Sequence, residues 1–200
     1  FAENRISLGN FGYEDRVEEL NTRLVALSKQ AVGTGSGWIA GDITTTGKMM
    51  EPKGELTYGE LYDAYAEQIA ALANAGADLL VAETMLSVDE TCVVLDAAAS
   101  VCDLPVMCSL TLEADGSALF GGNAVEAVET LQEMGAAAVG LKPNAGLPVI
   151  TPEGEAVYSM NAQDFARHMK VLVDAGAGVI GGCCGTTPEY IRLLAEMLGK

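Results

Sequence analysis

Residues 74–90 read Asn74-Ala75-Gly76-Ala77-Asp78-Leu79-Leu80-Val81-Ala82-Glu83-Thr84-Met85-Leu86-Ser87-Val88-Asp89-Glu90, and their reading decides the fold class. Asn74 to Ala77 puts a glycine where a helix must turn left-handed to end. The run from Asp78 to Thr84 is too short for a helix and almost continuously apolar, as in a strand buried on both faces. Ser87 and Glu90 then carry the spacing of a capping box at a helix start. A buried strand between two helices is the repeating unit of a parallel sheet covered by helices.

Outward from this stretch the unit recurs. Glu133-Met134-Gly135-Ala136 and Asp174-Ala175-Gly176-Ala177 repeat the glycine turn before an apolar run. The periodicity predicts a helix over residues 13–32, with Val17, Leu20, Leu24, Leu27 and Ala31 on one face. A second helix starts at the capping box Thr57/Glu60 and carries Leu61, Tyr65, Ile69 and Leu72 on its apolar face. Others are predicted from Ser87, from Asn123 with Glu126, over 161–175, and from Thr187 with Pro188 at the first helical position. Strands are predicted over 38–43, 78–84, 105–111, 136–141 and 178–182. No fixed period runs through the chain, so the pattern is a βα array and not a solenoid.

A (β/α)8 TIM barrel and a doubly wound sheet both satisfy this order. About five or six strands are visible, where a barrel takes eight in ~250 residues, which favours an incomplete barrel. No low-complexity linker divides the 200 residues, so residues 1–200 read as a single domain. One place breaks the pattern. The strand ending at Leu141 runs straight into Lys142-Pro143-Asn144-Ala145-Gly146-Leu147-Pro148. Successive parallel strands need a crossover of a dozen or more residues. Either the two pieces form one bent segment, or residues of the protein are missing near Leu141.

The formal charge is −17, from 28 acidic and 11 basic residues, which disfavours nucleic acid as a partner. Asp78 and Glu83 interrupt the best apolar stretch, so no membrane span is expected. No targeting segment is read, and five unevenly spaced cysteines suit reduced thiols in the cytoplasm better than a disulfide framework.

In such folds ligands sit at the C-terminal ends of the strands. That selects Asp42, Glu83, Ser109, Thr111, Asn144 and the pair Cys183-Cys184. Adjacent cysteines do not readily bond to each other. Two neighbouring thiols at a strand end, just before a helix N-terminus, can bind one metal ion; the bland alternative is two small buried apolar residues. Zinc wants four ligands, one of them open in a catalytic site. Cys92, Cys102 and Cys108 fall within a helix, at a helix end and inside a strand, and His168 falls mid-helix, so none completes the set. Glu83 ends an apolar strand, where a charge is costly unless paired or solvated. It reads either as a salt bridge to a loop or as the acceptor of a substrate ammonium. Asp42 has the same placement. Residues 44–48 end in Gly-Lys without the spacing of a phosphate-binding P-loop.

The sequence Gly181-Gly182-Cys183-Cys184-Gly185-Thr186-Thr187-Pro188 resembles the carboxy-terminal zinc motif of the homocysteine S-methyltransferase family. Pro143-Asn144-Ala145-Gly146-Leu147-Pro148 is similar to a motif of the branch nearest the homocysteine-binding module of cobalamin-dependent methionine synthase. Residues 1–6, 41–48, 82–84 and 138–140 also follow the family's order, so the resemblance runs essentially end to end. It implies a (β/α)8 barrel that binds zinc through three cysteines and transfers a methyl group to the thiol of homocysteine, giving methionine. Cys183 and Cys184 would be two of the ligands. Glu83 would hold the substrate's amino group, and Asn144 would lie beside the metal. The third cysteine is expected just after Val139-Gly140, where this chain has Leu141-Lys142, and the family's first strand is expected before Phe1. The resemblance further implies a methyl-corrinoid donor carried by a partner protein or domain; S-methylmethionine and betaine are the family's alternatives. Trp38, the single Trp, is expected to be buried, which disfavours the aromatic cage that betaine needs.

Two other readings remain at this point. The Gly-rich turn 181–187 before a helix could bind phosphate, as in a barrel lyase or isomerase of a phosphorylated metabolite. The chain could also be a non-catalytic metal-binding relative.

Overall fold

The computed structural model describes residues 2–111, 117–141, 145–146, 148–174 and 180–199. The chain divides into two compact units, Phe1–Val139 and Gly140–Lys200. That division lies close to Leu141, where the sequence reading left open one bent segment or missing residues.

The first unit opens with helix α1, Arg5–Gly9, capped by the Asn4 side chain on Ser7 N. A 3-10 turn, Glu14–Arg16, leads into α2, Val17–Val32. The buried edge of α2 is Val17, Asn21 and Val25, whereas Leu24 and Leu27 are exposed. The apolar stripe expected for this helix is therefore rotated. Asn21 sets the rotation: its Nδ2 donates to Glu3 O at 2.9 Å and Val17 O at 2.8 Å.

Strand β1, Ala40–Thr44, precedes α3, Tyr58–Ala75; β2, Leu79–Met85, precedes α4, Val88–Val101; β3, Val106–Leu110, precedes α5, Ala124–Glu133; and β4, Ala138–Leu141, follows. Helix α3 begins at the full capping box Thr57/Glu60 and ends at Gly76 with φ 86°, as its sequence requires. Its Leu61, Tyr65, Ile69 and Leu72 are all buried. Trp38, by contrast, is 79% exposed. Strand pairing starts after it, because Asp78 N donates to Ile39 O and Ile39 N to the Asp78 carboxylate. Trp38 lies outside the sheet, and the expectation that it is buried is wrong.

The sheet runs β1-β2-β3-β4 in sequence order, with β1–β2 and β2–β3 parallel. A doubly wound sheet reverses direction at a switch point; sequential order with crossovers of one hand keeps every helix on one side. Burial agrees. Gly41, Ile43, Leu80, Ala82, Val106 and Cys108 are buried, while Asp42, Val81 and Met107 on the alternate face are only half-buried. Gly41 faces α3: a Cβ there would lie 3.1 Å from Leu72 Cδ1 and 2.9 Å from Leu80 Cδ2. Helices α2, α3, α4 and α5 pack successively along this side. This is the wall of a barrel, and it decides between the two fold classes.

The second unit contains an antiparallel hairpin, β5 (Pro148–Ile150) and β6 (Ala156–Tyr158), then α6 (Ala162–Asp174) and α7 (Pro188–Met197). Periodicity missed the hairpin because each strand has only three residues; the turn signal Pro152-Glu153-Gly154 was its one trace. Phe165, Ala166, Met169 and Leu194 form the core between α6 and α7, with the Phe165 and Tyr190 rings edge to face at 5.5 Å. Of the strand expected over 178–182, residues 178–179 lie outside the described residues and 180–182 carry no strand. Thr187 is extended before Pro188 but makes no side-chain capping bond. Among the described residues no helix is long and apolar enough to cross a membrane.

Candidate active site

The first group of candidates sits at the end of β1 and β2. Asp42 pairs with Val81 and Thr44 with Glu83, so both carboxylates lie on the half-buried face of adjacent strands, two positions apart. Thr44 Oγ1 donates to Glu83 O at 2.9 Å. Just beyond, β2 is irregular. Ala82 pairs with Cys108 but Met85 with Leu110, which leaves one extra residue in β2. Thr84 takes φ 57°, a costly conformation for a β-branched residue, and its N–H donates to Ser109 Oγ at 3.1 Å. The bulge re-aims the chain just after Glu83. A cleft of this unit, about 640 Å³ and lined by Arg5, Asn10, Glu14, Lys48, Glu60 and Asp63 among others, includes neither Asp42 nor Glu83.

Sequence reasoning missed Glu90. Ser87 does cap α4, accepting from Glu90 N, but the Glu90 carboxylate does not return the bond. It turns inward, 1% exposed. There it accepts from Thr45 Oγ1 (2.6 Å), Thr46 N (2.8 Å), Thr46 Oγ1 (3.0 Å) and Tyr65 OH (2.8 Å). Burial, and then the adjacent carboxylate, hold the Tyr65 phenol far above its ordinary pKa, so it remains a donor. The carboxylate fastens the loop that leaves β1 to helices α3 and α4. The signal was the pair of threonines after a strand end, which no local rule connects to Glu90.

The second group lies in the other unit. Cys183 is half-buried, Cys184 exposed, and their sulfurs are 3.9 Å apart. The turn is closed by Thr186, whose N and Oγ1 both donate to Cys183 O. Ala145 N donates to Cys184 O and Ala145 O accepts from Met160 N, each at 3.0 Å. Ala145 is thus joined to the cysteine turn by its own backbone. Asn144 itself lies outside the described residues. Tyr158 reaches the same turn: its phenol is raised above the ordinary value by burial first, then by the charge of Cys184 and a hydrogen bond to it, and by Cys183.

The remaining cysteines belong to the first unit. Cys92 lies in α4, Cys102 ends it, and Cys108 is buried in β3. His168 is exposed on α6. Among the described residues, no three or more His, Cys, Asp or Glu side chains gather where a metal could be held.

The chain matches the family model of homocysteine S-methyltransferase in two stretches, residues 1–142 and 127–198. The two stretches overlap over residues 127–142. Among curated proteins it is 24% identical to methionine synthase of Mycobacterium leprae over 244 residues, and 25% identical to that of Mycobacterium tuberculosis over 237. All of this chain aligns with each, but it spans only 20% of their length. Among solved structures, the metallated form of the Escherichia coli homocysteine methyltransferase MmuM superposes with a TM-score of 0.70 at 19% identity, covering 98% of this chain and 77% of that one. Its apo form gives 0.65 at 22%, covering 91% and 74%. The fold is thus the TIM barrel of these enzymes in partial form, and the chain belongs to the homocysteine S-methyltransferase family.

Proposed function

We propose that this chain is the homocysteine-binding, zinc-thiolate part of an enzyme that transfers a methyl group to homocysteine, and that its two units are parts of one barrel domain. The observation that carries the reading is the 3.9 Å between the Cys183 and Cys184 sulfurs. Two thiolates on a tetrahedral zinc, each about 2.3 Å from the metal, lie roughly 3.8 Å apart, so the pair fits one edge of such a site. By the family's pattern a third thiolate is expected after Val139-Gly140, where this chain has Leu141-Lys142.

Zinc bound there would let the homocysteine thiol lose its proton at neutral pH while keeping a reactive sulfur. The Cys183-Cys184 turn holds the two protein sulfurs splayed, with the Ala145 amide fixing the backbone of Cys184. Glu83, at the bulge of β2, is the proposed acceptor of the substrate's ammonium, and Asp42 a second polar group on that strand face. Asn144, beside Ala145 in sequence, is proposed to lie next to the metal. In the transfer, sulfur supplies the electron pair of the new S–C bond and the donor departs with the pair of the broken one. A methyl-corrinoid on another domain or partner protein is the proposed donor, supported by the methionine synthases of which this chain spans a fifth. Betaine is less suited. Trp38 precedes β1, at the opposite strand end from Asp42 and Glu83, and cannot contribute a cage there. Five free cysteines suit a cytoplasmic setting.

The phosphate reading loses support from the turn itself. Pro188 brings no N–H to the first turn of α7, and Thr186 N is spent on Cys183 O. Zinc analysis of the intact protein, with and without Cys183→Ser, tests the proposal. One zinc per chain, lost in the variant together with homocysteine-dependent methyl transfer, is expected. No zinc in the intact protein, with tight binding of a phosphate ester, would overturn it.

A further inference from the structure

Tyr158 closes β6 directly over the cysteine turn. It stands opposite Pro148 in the hairpin, two residues before Met160, whose N–H is held by Ala145 O and whose carbonyl accepts from Tyr190 OH at 2.7 Å. The same Ala145 donates to Cys184 O, so one backbone link sets the distance between Tyr158 and the cysteines. The ring lies against Gly185: any Cβ at that position would collide with three of its carbons, and the glycine has φ +79°. The phenol hydrogen-bonds to the Cys184 side chain.

We propose that Tyr158 is a positioning residue for Cys184, its O–H donating to the sulfur and its ring lying flat on the Cys184–Gly185 turn. This deepens the zinc-thiolate reading and rests on it. A thiolate that accepts a hydrogen bond is held in one rotamer and has its donor electrons lowered in energy. Groups standing in this relation to metal ligands typically govern about 10- to 100-fold in metal affinity. Gly185 belongs to the same device, because only a residue without a side chain lets the ring approach. The glycine after Cys-Cys thus acquires a role besides its backbone conformation.

Cobalt(II) is the probe, titrated into the intact protein with the thiolate-to-cobalt charge-transfer band as readout. Tyr158→Phe keeps the ring and removes the donor. It is expected to weaken cobalt binding by about 10-fold or more and to move the band to longer wavelength. Gly185→Ala displaces the ring but leaves the hydroxyl in place in the sequence, and is expected to shift the band in the same direction. Far-UV circular dichroism confirms that both variants fold. Unchanged affinity and an unchanged band in folded Tyr158→Phe would overturn the proposal while leaving the metal site intact. A band missing from the unaltered protein would instead overturn the metal reading, and the role of Tyr158 with it.

Discussion

Removing the Tyr65 hydroxyl leaves the buried Glu90 carboxylate with three donors instead of four, and the cost can be worked from the contacts. The lost bond is 2.8 Å long, made to a carboxylate that is 1% exposed. A hydrogen bond to a charged group contributes about 1.5–3 kcal/mol, and the ring of Tyr65→Phe still fills its place, so a loss of about 2 kcal/mol is expected. Glu90→Ala removes the acceptor of all four. Thr45 and Thr46 can turn to water at the loop, and Tyr65 OH retains Thr44 O at 3.0 Å. The expected loss is therefore about 3 kcal/mol, the low end for breaking a buried charged network. Because both changes delete the same bond, the double variant should fall short of additivity by about 1.5–2 kcal/mol. Urea unfolding measures this: with a slope of about 2 kcal/mol/M, Tyr65→Phe moves the midpoint down by roughly 1 M. Faster amide exchange at Thr46, whose N–H donates to Glu90, should accompany Glu90→Ala. Strictly additive single effects, or a Tyr65→Phe midpoint within about 0.2 M of the parent at unchanged slope, would refute the network.

Two further outcomes follow from the strand ends and the thiols. Thr84→Gly releases a left-handed β-branched residue; the relief of about 1–2 kcal/mol exceeds the entropy cost of glycine, so stability should rise by about 0.5–1 kcal/mol, and a fall in Tm would show that Thr84 is unstrained. Burial pushes the Cys108 thiol up to about 12 and the Cys92 thiol up to about 11. Raised values keep both thiols protonated and unreactive at pH 8, so iodoacetamide followed by peptide mass mapping should label exposed Cys184 well before either. Equal labelling of Cys108 in the folded protein would contradict its burial.

Much of this protein is written locally. The capping box at Thr57, the left-handed Gly76, the apolar face of α3 and the turn of Cys183-Cys184 are each set by a few neighbouring residues, and each was legible from them. Tertiary structure decided the rest. Glu90 carries a capping-box spacing but serves Thr45 and Thr46, 45 and 44 residues away. Trp38 is exposed because pairing begins at Ile39, and α2 turns on Asn21 instead of its leucines. The single sense of winding came only from strand order, and the contact of Tyr158 with the Cys184–Gly185 turn only from the closing of β6. Periodicity, caps and turns are energies of neighbours along the chain; which buried polar group meets which partner is settled by packing between elements far apart in sequence.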